Sequence, residues 1–186
     1  MGSINLWMFL VLTICTWHKT IGCTWMRTLP RSPSMFQVFS KNTITMLQKM
    51  VGYAVMFIHL FLVIGLLSSF QHFTADEQIV FISQTLKAIK KLYSSGKYES
   101  TAWDQKGVDR FMNDLHRQTS ELDQCVKAMK TRLSKYVKRV NKKMSLHFKF
   151  LNNYLKREKH SASGWEDVRT VVLAHLRRLD TTLSSQ

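Results

Sequence analysis

The sequence predicts an all-α protein, a bundle of about five helices behind a removable leader. Three observations carry this expectation. Beyond residue 75 the apolar residues recur at helical spacing. Only 7 Gly and 2 Pro are present, too few to turn a many-stranded β fold. Strand-period alternation is nowhere sustained. At 186 residues the chain suits one domain with a full core.

Residues 1–22 read as a signal peptide. The apolar run from Leu6 to Cys15 is short for a bilayer span, and Thr20 and Gly22 suit the positions before a cut, placed here between Gly22 and Cys23. Export leads to an oxidising compartment, where the two remaining cysteines, Cys23 and Cys125, become candidates for a single intrachain disulfide. Residues 23–186 then form the helical domain.

The first stripe, Phe36, Phe39, Leu47 and Met50, is entered through Pro30 and Pro33, which suit a lead-in better than a helix interior. Ile79, Ile82, Leu86, Ile89 and Tyr93 form the second. A longer stripe runs from Phe111, Leu115, Leu122, Val126, Met129 and Leu133 to Val137 and Val140, as one long helix or two in series. Met144, Phe148, Leu151 and Leu155 form the next, and Trp165, Val168, Val172, Leu176, Leu179 and Leu183 the last. Thr101 with Asp104, and Ser163 with Glu166, have capping-box spacing, each after a plausible loop at 94–100 or 160–162, and Gly96 in the first of these can take the left-handed conformation that ends a helix. Amphipathic helices of this kind bury their stripes only against one another.

No constellation for catalysis is visible. The chain lacks a glycine-rich phosphate loop and a His-Glu zinc pattern, its seven histidines are scattered, and two cysteines cannot build a cysteine-rich zinc site. No cofactor is expected. The 27 Lys and Arg against 12 Asp and Glu give a net charge of +15. Twelve of these cations fall between Lys127 and Lys159, with Glu158 the one acid among them. This run is either a solvated face or a footprint for a heparan-type polyanion or an acidic protein surface. Export argues against nucleic acid.

The run from Ser161 through Trp165 to Arg169 (SASGWEDVR), followed by Val172, Leu176 and Leu179, resembles the last helix of type I interferons. Further matches fall in the family's order: Cys23 to Trp25 (CTW), Gln84 to Lys87 (QTLK) with Ile89, Trp103-Asp104 leading to Phe111, Leu115 to Gln118 (LHRQ), and Cys125-Val126. The two cysteines resemble the two-cysteine group of fish interferons. The resemblance covers 23–50 loosely and 75–183 well.

It implies an up-up-down-down helical cytokine, secreted as a monomer, that binds two different chains of a class II cytokine receptor and induces antiviral genes without chemistry of its own. Carried over by position, receptor contacts fall on Lys41 and Gln48 of the first helix and on Arg169, Arg177 and Arg178 of the last, all off the apolar stripes. Trp103, Phe111, Leu115, Trp165, Val168, Val172 and Leu176 become the core motif. Residues 51–74 depart from the family, which has a polar loop here. From Val51 to Phe70 no charge occurs, a length that would serve a membrane span, a buried helix or a segment introduced at the transcript level. Two other readings stay open on the residues alone: a single-pass membrane protein with a basic helical domain, and a basic heparin- or membrane-binding helical protein.

Overall fold

A computed structural model of the chain describes residues 23–28, 32–50, 73–129 and 132–184. The leader at 1–22, most of the atypical segment (51–72), Pro30 and Lys130 lie outside the described residues. A 3-10 turn at Thr24–Met26 precedes five α-helices: α1 (Met35–Lys49), α2 (Ala75–Tyr93), α3 (Gln105–Met129), α4 (Lys135–Arg157) and α5 (Ala162–Ser184).

The helices begin where a side chain can serve the unpaired N–H groups of the first turn. Ser34 and Gln37 form a capping box on α1, and Thr74 and Glu77 form another on α2. Ser134 Oγ accepts from Val137 N on α4. The two boxes expected from spacing are displaced. Asp104 is itself the cap of α3, accepting from Gly107 N at 3.0 Å, while Thr101 closes the preceding turn onto Tyr98 O. On α5 Ser161, not Ser163, accepts from Gly164 N. A side chain three residues from an acid matches the box pattern wherever it falls, and the turn closed by Tyr98 and Thr101 shifts the helix start past the first match. Gly96 takes φ +65° in the loop after α2, as its lack of a side chain allows.

The long stripe from Phe111 to Val140 is divided between two helices. Val137 and Val140 belong with Met144, Phe148, Leu151 and Leu155, and all six are buried along α4. Of the segment 51–74, the last two residues fall among the described ones. Phe73 is buried edge-on against Phe81 and Tyr136, and Thr74 caps α2.

Cross-contacts fix the directions of the helices. Ser83 meets Asp123 and Tyr93 meets Phe111, so α2 and α3 run oppositely. The start of α2 touches the start of α4 through Glu77 and Ser134, so these two run together. His147 faces His175 and Tyr154 bonds Asp167, so α4 and α5 run oppositely. With α1 antiparallel to α3, the four helices α1, α2, α3 and α5 form an up-up-down-down bundle, and α4 lies beside α2 as the fifth. All seven core-motif residues are buried. At one end, Tyr93 lies among the rings of Trp103, Phe111 and Trp165, with centroids 5.0 to 6.1 Å away.

Candidate receptor-binding surfaces

Helices α1 and α5 pack against each other, and the expected contact residues are distributed over them unequally. Lys41 and Gln48, seven residues apart on one side of α1, are both exposed. Arg177 and Arg178 are exposed on α5. Arg169 is not. Only 8% of it is accessible, which corrects the expectation that it lies on the free face.

The reason is a buried polar relay. Arg169 Nε donates to Glu166 Oε2 at 2.7 Å, one turn earlier on the same helix, and its Nη1 donates to the Leu47 carbonyl at 3.1 Å. Glu166 takes a second bond, from Trp103 Nε1. Position 169 therefore ties the last turn of α1 to α5, and through Glu166 to the loop before α3. A second buried tie, Gln118 Nε2 to Thr43 Oγ1 at 2.6 Å, fastens α1 to α3. Helical periodicity gave no sign of Gln118, Thr43 or Glu166 as partners. The i,i+3 spacing of Glu166 and Arg169 was the one available signal.

Cys23 and Cys125 are disulfide-bonded, with Cα atoms 4.9 Å apart. The bond holds the N-terminal turn against α3, and Trp25 from that turn stacks on Phe39 of α1 at 5.3 Å. Arg117 of α3 covers the same Phe39 ring at 4.5 Å from its centroid.

On the far side of the molecule, α4 carries eight Lys and Arg and no acid over its length. A helix that begins with Lys135 has no acidic side chain of its own for the positive end of its dipole. Glu77 of α2 fills that place by accepting from Ser134 N at 3.0 Å, and this bond holds its carboxyl below the usual range. Leu146 and Phe150 are exposed among the cations, and Arg157 sits 5.8 Å from the Phe150 centroid. Among the described residues no His, Cys, Asp and Glu cluster could hold a metal. None of the described helices is long and apolar enough to cross a membrane.

Comparison with known proteins agrees with this geometry. The sequence model of the interferon alpha/beta domain matches residues 61–185. Interferon a3 of Oncorhynchus mykiss is 36% identical over 108 residues, which cover 56% of this chain and 55% of that protein. The matched stretch thus spans about half the length of that relative. The structure of zebrafish interferon 1 superposes with a TM-score of 0.68 at 30% identity, over 87% of this chain and 98% of that one. Five helices in this arrangement, with the ties between α1 and α5 on one side, define a helical cytokine. The chain belongs to the interferon alpha/beta family, whose members are cytokines and not enzymes.

Proposed function

We propose that this chain is a secreted type I interferon that engages two different chains of a class II cytokine receptor and thereby induces antiviral gene expression. The observation that carries the reading is the α1–α5 face. Lys41, Gln48, Arg177 and Arg178 project from two helices locked together from beneath by Arg169. A rigid support lowers the ordering cost of association, and arginines are effective anchors for acidic receptor surfaces. Arg169 acts by holding this face in place. The second receptor chain uses the opposite side of the bundle, and the basic residues of 127–159 hold an extracellular heparan-type polyanion.

The test separates contact from folding. Arg177→Glu combined with Arg178→Glu should lower reporter induction in cells of the same species by about tenfold or more, equivalent to about 1.4 kcal/mol of binding. Its unfolding free energy should stay within about 0.5 kcal/mol per site of the parent. Arg169→Ala should behave differently: truncating one partner of a buried ion pair costs about 3–5 kcal/mol, so its signalling should fall together with its stability. Full potency of the Arg177/Arg178 variant would remove those residues from the contact. Recovery of inducing activity from conditioned medium tests export.

A further inference from the structure

A groove of about 620 Å³ runs between α2 and α4, away from the α1–α5 face. Its floor is apolar, made by Leu92, Met144 and Phe148. Its walls mix amides and a hydroxyl, from Gln84, Asn141, Ser145 and Asn152, with the ammonium groups of Lys87, Lys91 and Lys149. Asn141 lies in this lining with both polar atoms of its amide buried and without a hydrogen-bond partner among the described residues. Folded proteins rarely leave such an amide uncompensated.

The groove does not end at Lys149. Lys138, Lys142, Ser145, Lys149, Asn152 and Lys156 recur at i, i+4, i+7, i+11, i+14 and i+18, one straight row along α4. Three of its members, Ser145, Lys149 and Asn152, line the groove itself. At 1.5 Å per residue the row is about 27 Å long. Across from it, Lys91 is exposed on α2, while Lys87 is held by an ion pair with Asp123.

We infer that this groove is a binding site for a sulfated glycosaminoglycan, with the row on α4 as its continuation. The inference rests on reading α4 as a polyanion surface and assigns that surface an anchoring point that includes α2. The chemistry fits each part of such a ligand. Ammonium groups take the sulfates, and the amides and Ser145 take sugar hydroxyls. A lipid surface fits less well, because the apolar stripe of α4 is buried in the core and only Tyr136, Leu146 and Phe150 are left exposed along it, Tyr136 packed edge-on against Phe73.

The test uses the mature, disulfide-bonded chain and an immobilised heparin hexasaccharide at physiological salt. Lys91→Ser with Lys149→Ser should weaken binding roughly tenfold, with a shallower salt dependence. The charge-matched pair Lys41→Ser with Lys106→Ser, distant from the groove, should weaken it far less. Asn141→Leu should lower hexasaccharide affinity several-fold while leaving the melting temperature unchanged or higher, which separates ligand contact from damage to the fold. N-desulfated hexasaccharide should bind poorly. Equal losses for the two lysine pairs would overturn the groove. So would unchanged affinity in Asn141→Leu. If Arg139→Ser with Lys143→Ser weakens binding and the groove pair does not, the polyanion surface stands and the groove assignment falls. Binding to phosphatidylserine vesicles with the same dependence on Lys91 and Lys149, and none to the hexasaccharide, would replace the glycan with a lipid.

Discussion

His175 is completely buried on α5, between the rings of His147 at 5.1 Å and Phe148 at 5.4 Å, and neither of its nitrogens has a hydrogen-bond partner among the described residues. Burial, and secondarily the proximity of His147, push its folded-state pKa down to about 3. An unfolded chain takes up this proton near pH 6.5, whereas the folded one resists it until about pH 3. The unfolded state therefore binds more protons in this window, and stability falls as pH drops through it. Between pH 7 and pH 5 the loss from this one group is about 2 kcal/mol. His160, lowered by burial and by Lys97 and Lys156, adds in the same direction. Guanidinium unfolding midpoints at the two pH values should differ in the parent and draw together in His175→Leu; a parent curve flat over this range would refute the assignment. The full burial of His175 was not legible, since a histidine inside the apolar stripe of α5 reads as solvated or at the edge of the core. Nor was that of Arg169, because periodicity alone places it near solvent. Its burial depends on Glu166 and on a carbonyl 122 residues away in sequence.

Glu77 links two elements. On α2 its carboxylate completes the capping box with Thr74, and its other oxygen accepts the Ser134 N–H at the start of α4. A lone cap residue contributes typically about 1 kcal/mol. Glu77→Ala should cost about twice that, because it also leaves the Lys135 end of α4 without an acid. Glu77→Gln should fall between, keeping an acceptor but not the charge. Unfolding by urea checks the order, and a Glu77→Ala cost equal to that of Thr74→Ala would contradict the double role. The existence of the helices could be read from the sequence because each buries one stripe. Their ends could not, since capping depends on which of several Ser, Thr and Asp residues the chain reaches with helical geometry. The break between α3 and α4 was hidden for a related reason: the apolar spacing continues across it, and what marks α4 as a separate helix is Ser134 held by Glu77 from a different element.

At the scale of the molecule, the periodicity required a bundle but carried no direction for any helix. The up-up-down-down order came from the resemblance and is visible in the structure as contacts between residues far apart in the chain. The disulfide is the longest covalent expression of that order. Cys23 and Cys125 are separated by 102 residues, and their bond closes a loop that includes α1, α2 and most of α3. In the chain-entropy view, a loop of about this length stabilises the native state by about 4–5 kcal/mol through what it removes from the unfolded ensemble. It also pins Trp25 to Phe39, so cutting it releases a buried turn as well as a crosslink. That is a large part of the stability of a single domain of this size. Cys23→Ser with Cys125→Ser should therefore shift the denaturant midpoint strongly downward while leaving the helical far-UV spectrum intact in buffer, because the backbone hydrogen bonds of the five helices do not depend on the bond. The loss should appear mainly as faster unfolding if the N-terminal turn docks late in folding. Non-reducing mass spectrometry of the purified chain should show a single intramolecular bond with no free thiol at either position. Two free thiols in a folded, signalling sample would remove the disulfide from the account of stability.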